Sequence, residues 1–223
     1  MGIQIDNYRR ILKELGSSVT LVAVSKTKPV SDIRALYDAG QRDFGENYVQ
    51  ELLEKAPQLP ADIRWHFIGH LQTNKVKLIL PVVQLIHGVD SLKLLKEINK
   101  QAAKTGKPVD CLLQVHIAQE ETKFGLDETE LREVLKTVRT EGMDHVRICG
   151  LMGMASFSTD TSLLVKEFRQ LRQLFDSCKE LAPAGNHFQQ LSMGMSSDYR
   201  LAIEEGSTML RIGSLLFGER EQK

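Results

Sequence analysis

Apolar residues recur along the chain in two alternating periods. Short β-branched runs, in which side chains switch face at every second residue, fall at 19–25, 43–47, 64–69, 85–90, 109–117, 146–154, 188–194 and 209–217. Between them apolar residues return every three or four positions, the mark of helices with one buried face, at 31–39, 48–55, 74–80, 92–104, 128–141, 163–181 and 199–205. A further helical segment, 4–15, precedes the first strand. The pattern therefore predicts eight strands and eight helices. Strict alternation of strand and helix implies parallel strands joined by right-handed crossovers. Eight such units fit an α/β fold of the closed (β/α)8 TIM-barrel type, with an open sheet as the alternative. A plain barrel has about 250 residues, so the 223 residues read as one domain, 1–223, with an extra N-terminal helix.

Charge narrows the partners. Lysine plus arginine equals 29 and aspartate plus glutamate equals 29. Nucleic acid and anionic membranes both call for a basic excess, so neither is expected as a partner. The uncharged, apolar run 78–89 is too short to span a bilayer and is broken by Pro81 and Gln84. Met1-Gly2-Ile3-Gln4-Ile5-Asp6 lacks the apolar core of a signal peptide. Cys111, Cys149 and Cys178 suit neither a disulfide framework nor a zinc knuckle. A reduced, cytoplasmic setting is expected.

A barrel gathers its chemistry where the C-terminal ends of the strands meet the following loops. Lys26 ends the apolar run Leu21-Val22-Ala23-Val24-Ser25 and shares the face of Val22 and Val24. If that face is the barrel interior, the ammonium loses water and its pKa falls, as a Schiff-base lysine requires. A lysine snorkelling to the surface is the alternative. Lys28 has the same parity but precedes Pro29, which places it in a more exposed loop. Late in the chain, Gly194, Ser196 and Ser197 lead into a helix whose first turn holds Asp198, and Gly213-Ser214 can open a helical turn of its own. Loops after strands seven and eight commonly hold a phosphate, although the same residues serve as ordinary turns and caps. Arg211 lies inside an apolar run and needs an acceptor, either a ligand or a structural ion pair. His66 and His70 share a parity and could join His87 or His116 around a metal, but no ligand spacing supports it.

These residues also carry a resemblance. Ala23-Val24-Ser25-Lys26-Thr27-Lys28-Pro29, Phe44-Gly45-Glu46-Asn47-Tyr48-Val49-Gln50-Glu51 and Trp65-His66-Phe67-Ile68-Gly69-His70-Leu71-Gln72 resemble signatures of the pyridoxal phosphate homeostasis proteins. So do Gly150-Leu151-Met152, Leu191-Ser192-Met193-Gly194-Met195-Ser196 and Arg211-Ile212-Gly213-Ser214 with Phe217-Gly218, so that the likeness runs from Val19 to Arg220. The resemblance implies a fold-type III barrel similar to the N-terminal domain of alanine racemase, with pyridoxal 5′-phosphate (PLP) as cofactor. It implies a Schiff base on Lys26, a phosphate held by Ser196, Gly213 and Ser214, and Arg211 facing the pyridine nitrogen. Asn47 and Met152 would flank the ring, and Ser192 and Met193 would line the site less directly. Two features depart from the family. The stretch before the first strand is short, and in Glu121-Thr122-Lys123-Phe124-Gly125 a threonine stands where serine is expected, which weakens any role for Lys123.

The resemblance implies a role in PLP supply and in amino-acid and keto-acid balance. An arginine at the pyridine nitrogen disfavours its protonation and so weakens the ring as an electron sink. A racemase also needs a second base, which related enzymes draw from another domain and subunit, and this chain has no spare length for one. The expectation is a monomeric, non-catalytic PLP carrier serving PLP-requiring client enzymes. A weak amino-acid racemase is the alternative, and a third class is a signalling protein whose PLP state governs a protein partner.

Overall fold

A computed structural model describes residues 3–120, 122–182 and 187–219; Met1, Gly2, Glu121 and Arg220, which occur in the segments quoted above, lie outside these. The eight predicted strands are present: β1 Thr20–Val24, β2 Asp43–Glu46, β3 Arg64–Phe67, β4 Val83–Val89, β5 Val109–Val115, β6 Val146–Gly153, β7 Gln190–Ser192 and β8 Met209–Ile212. They pair in chain order, all parallel, and β8 pairs back onto β1 from Thr20↔Met209 to Ala23↔Ile212. The sheet is a closed barrel, not an open sheet.

The intervening helices are α2 Val30–Asp38, α3 Val49–Lys55, α4 Val76–Ile79, α5 Leu92–Thr105, α6 Glu128–Glu141, α7 Thr161–Cys178 and α8 Tyr199–Glu204, with α1 Ile5–Leu15 before β1 and α9 Ser214–Phe217 after β8. Their ends follow local chemistry. Asp127 and Glu130 form a reciprocal capping box on α6, and Gly142 closes it at φ 64°, a conformation that costs glycine nothing. On α1, Tyr8, Ile11 and Leu15 lie on one face and are buried.

Alternation divides the core into two layers. Side chains pointing out of the barrel pack against helices in one large apolar cluster that includes Phe44, Phe67, Phe168 and Phe217. Those pointing in form a smaller apolar group, Val22, Leu85, Leu112, Met152 and Met209. The remaining interior is polar: His66, His87, Gln114, Ser192 and Arg211 are all buried.

The predicted final strand, 209–217, divides into β8 and α9. Leu210, Ile212, Leu216 and Phe217 are all buried, so apolar character runs unbroken while the backbone changes state at Gly213. Described residues thus form nine α-helices where eight were expected. None of the described helices is long and apolar enough to cross a membrane.

Candidate functional site

A cavity of about 470 Å³ opens at the C-terminal end of the barrel, within the range of small-molecule sites. It draws on the end of β1 and the turn after it (Val24, Lys26, Lys28), the β2 and β3 loops (Asn47, Ile68), the β6 end (Met154), the β7 loop (Met195, Ser196, Ser197) and the β8–α9 junction. Arg211, Gly213, Ser214, Leu215 and Gly218 supply that last wall.

The parity argument for β1 is realised. Val22 packs in the interior cluster, while Val24, Lys26 and Lys28 line the cavity above it. Lys28 is half-buried rather than free in a loop, because its Nζ donates to the carbonyls of Phe217 (2.9 Å), Gly218 (3.3 Å) and Glu219 (3.4 Å) at the end of α9. Lys26, also half-buried, sits in a tight turn closed by the Lys28 N–H donating to the Ser25 carbonyl at 3.0 Å. The next residue, Thr27, holds φ 63°, an uncommon conformation for a β-branched side chain.

A buried charge network pins that turn from behind. Ser25 Oγ donates to Glu46 Oε1 at 2.7 Å, and the Thr27 N–H donates to Glu51 Oε2 at 2.8 Å. Lys55 Nζ reaches the Ser25 carbonyl (3.0 Å), Glu46 (2.9 Å) and Glu51 (2.6 Å). Burial pushes the Glu46 carboxyl above its ordinary value, with Lys55 and Ser25 opposing. Lys55 was not among the expected site residues; its signal is the i,i+4 spacing from Glu51 beside a glutamate at the end of an inward strand.

Gly213 and Ser196 meet on the opposite wall, where the Gly213 N–H donates to Ser196 Oγ at 3.2 Å. Ser214 opens α9, and the first N–H groups of a helix have no acceptor within it. The β7 loop is shaped by Asp198, which accepts from the Met195 N–H at 2.6 Å, and by Gly194 at φ 95°.

Arg211 is fully sequestered at the cavity floor. Its Nη1 donates to the Ser192 carbonyl (2.8 Å) and Oγ (2.7 Å), and its Nη2 to the Gly153 carbonyl (2.9 Å). Among the described residues it forms no ion pair, so the structural pair offered as an alternative is not seen there. Burial lowers its pKa to about 10, which leaves it cationic at neutral pH.

Of the nine residues singled out, Lys26, Asn47, Ser196, Arg211, Gly213 and Ser214 surround one cavity. The other three do not line it. Met152 lies one inward step below Met154 and packs in the interior cluster. Ser192 is buried beneath the floor, against Arg211. Met193 faces the helices and belongs to the outer core, because alternation turns it away from the interior. Among the histidines, His66 and His87 do meet, at 2.9 Å, whereas His70 pairs with Asp90 and His116 with the Glu120 carbonyl. The described residues contain no group of three or more His, Cys, Asp or Glu side chains able to hold a metal. Lys123 donates to the Ala155 carbonyl at 2.6 Å, outside the cavity lining.

A family model described as alanine racemase, N-terminal domain, matches residues 5–221. A protein of Aquifex aeolicus named pyridoxal phosphate homeostasis protein is 43% identical over 203 residues, covering 90% of this chain and 87% of its own. One of the same name from Pasteurella multocida is 39% identical over 208 residues, covering 92% and 88%. The solved structure of PipY from Synechococcus elongatus, with PLP bound, superposes with a TM-score of 0.88 at 36% identity, covering 96% of this chain and 99% of that one. Alanine racemase from Bartonella henselae shares the fold at TM-score 0.75 and 17% identity; this chain covers 62% of it.

Proposed function

Since the chain belongs to the pyridoxal phosphate homeostasis protein family, we propose that it is a PLP carrier, which holds the cofactor as a Schiff base on Lys26 and releases it again. The observation that carries this reading is the convergence of an amine, a hydroxyl-and-amide cradle and a buried cation on one cavity. The residues fit the group. Lys26 offers a primary amine, Ser196, Gly213 and Ser214 offer donors suited to a phosphate, and Arg211 offers a charge that no carboxylate of the described residues pairs with. PipY, with the same barrel, has been solved with PLP bound.

Bound PLP would supply an aldehyde that condenses reversibly with an amine and a ring whose acidity depends on its nitrogen. This chain's residues then set the limits. The Ser25–Lys28 turn, tied by Glu46, Glu51 and Lys55, orients the amine of Lys26. The β7 and β8 loops anchor the phosphate. Asn47, Ile68 and Met154 flank the ring, with Met152 one layer below them. Arg211, cationic and facing the ring nitrogen, keeps that nitrogen unprotonated by like-charge repulsion, which suits storage better than carbanion chemistry. All these groups come from one chain, in keeping with a monomer. The same reading has it work in the cytoplasm and supply PLP-requiring client enzymes.

Borohydride reduction of the PLP-loaded protein followed by peptide mass mapping tests the assignment. A reduced phosphopyridoxyl group is expected on Lys26, and Lys26→Ala should lose the yellow chromophore. Absence of PLP from both proteins, or its attachment at another lysine, overturns the reading.

A further inference from the structure

Beneath the cavity, a line of hydrogen bonds runs through the barrel to its opposite mouth. Arg211 Nη1 donates to Ser192 Oγ at 2.7 Å, and Ser192 Oγ lies 3.2 Å from His87 Nδ1. His87 Nε2 lies 2.9 Å from His66 Nδ1, and His66 Nε2 lies 3.0 Å from Asp43 Oδ1. Barrel stagger builds this line. Asp43 pairs in register with Arg64 and His66 with Leu85, so each successive member sits two residues higher on the next strand. Ser192 pairs with Met209, which places Arg211 two residues above it on the other side. At the N-terminal mouth, Asp43 and His66 line a second cavity of about 260 Å³ together with Asp110, Cys149 and His187.

Only certain proton placements satisfy every link. Asp43 is ionised at neutral pH: burial opposes this, but hydrogen bonds from His66 and Arg64 hold its pKa at about 2. It must therefore receive a proton from His66 Nε2. With His66 neutral, its Nδ1 accepts, so His87 carries its proton on Nε2 and its own Nδ1 accepts from Ser192. Every donor then points one way, from Arg211 toward Asp43. Adding a proton to His66 reverses two links. Its Nδ1 becomes a donor, His87 must shift its proton to Nδ1, and Ser192 Oγ then accepts from both His87 and Arg211. One proton enters at His66, none leaves, and the hydrogen beside Arg211 turns away. His87 stays neutral throughout, since burial, with His66 and Arg211 nearby, drives its pKa well below that of a free imidazole.

We propose that Asp43, His66, His87 and Ser192 form a positioning relay for Arg211, which couples protonation at the N-terminal mouth to the guanidinium that faces a bound PLP ring. Ser192 and His87 thereby act on the ring through Arg211 and touch no ligand themselves. This rests on the carrier reading for its ligand but not for its hydrogen bonds. The charged and titratable groups around His66 are Asp43 on β2, Arg64 on β3, His87 on β4, and Asp110, Cys149 and His187 at the same mouth, with Arg147 paired to Asp110; Arg211 on β8 bears on His87. Asp43 is the one that touches the outer nitrogen of His66.

Histidine ¹⁵N NMR on the PLP-free chain, followed from pH 8 to pH 5, tests the relay directly. The His87 proton is expected on Nε2 while His66 is neutral and on Nδ1 once His66 is doubly protonated. In Asp43→Asn, loss of the adjacent negative charge should move the switch at least about one pH unit lower. With PLP loaded, the visible band should change over the same pH interval in the wild type, and that change should be lost in Ser192→Ala, with the Lys26 adduct still forming. A His87 tautomer that does not respond to pH, or a band that titrates in Ser192→Ala and Asp43→Asn as it does in the wild type, overturns the relay. A wild-type chain that shows the tautomer switch but takes up no PLP overturns the carrier reading and leaves the hydrogen-bond switch standing.

Discussion

Replacing Lys55 with methionine isolates what the buried network contributes to stability and to the site. The Lys55 side chain is 9% exposed and the Glu46 side chain 0%, and the pair lies at 2.9 Å. Methionine keeps most of the stem but strands the carboxylate, one of whose oxygens, Oε2, already has no hydrogen-bond partner among the described residues. Breaking a buried pair from one side costs about 3–5 kcal/mol, because the remaining charge is left without compensation. For a chain of this size that corresponds to a Tm lower by roughly 6–20 °C. The loss should depend on pH in a definite direction. Burial raises the Glu46 carboxyl above its ordinary value, so the folded chain holds that proton more tightly than the unfolded one. Its contribution to stability is greatest in acid and falls as pH rises through the unfolded value toward the raised folded one. Lys55 limits that fall, and Lys55→Met removes the limit. Urea midpoints at pH 5 and pH 8 should therefore show a much smaller penalty at pH 5. Adding Glu46→Gln to Lys55→Met should recover stability at pH 8. A penalty below about 1 kcal/mol, or one equal at the two pH values, would refute the assignment of a buried ion pair. Because Glu51 also holds the Thr27 N–H, the single variant should load PLP less tightly than the wild type.

Other consequences are as specific. Ser196→Ala and Ser214→Ala should each weaken PLP binding in equilibrium dialysis by about tenfold or more, the usual worth of a hydrogen bond to a charged group, with unfolding midpoints little changed. Gly194→Ala forces a side chain onto φ 95° with its Cβ 2.6 Å from Ala202 Cβ and 2.9 Å from Leu210 Cδ2. Calorimetry should show destabilisation of more than about 1 kcal/mol, whereas Gly106→Ala at φ 68°, with no atom within 4 Å, should cost less. Exchange of amino-acid α-protons in deuterated water should run no faster with the PLP-loaded wild type than with Lys26→Ala. A substantial Lys26-dependent rate would favour the racemase alternative over carriage.

Strand-by-strand alternation made the barrel legible, since parallel strands buried on both faces and helices buried on one leave different periods. It also made Lys26 legible, because parity with Val22 and Val24 survives past the end of β1. Two kinds of fact stayed hidden, each for its own reason. In 209–217 both layers of the fold demand apolar residues, so composition cannot report where extended backbone gives way to helix at Gly213. Along β6 and β7, parity tells inward from outward but not height. Met152 and Met154 face the same way, yet one lies in the core and the other at the cavity wall. Height is a property of barrel stagger, which is written in the pairing of one strand with the next. The relay depends on the same quantity. His66 and His87 carry the right parity in the sequence, but their contact requires that His66 sit level with Leu85. A shift of two residues in that register would preserve every inward and outward assignment, leave the apolar pattern intact, and disconnect Asp43 from Arg211. The chemistry of the floor is thus specified by register, where that of the rim is specified by motif.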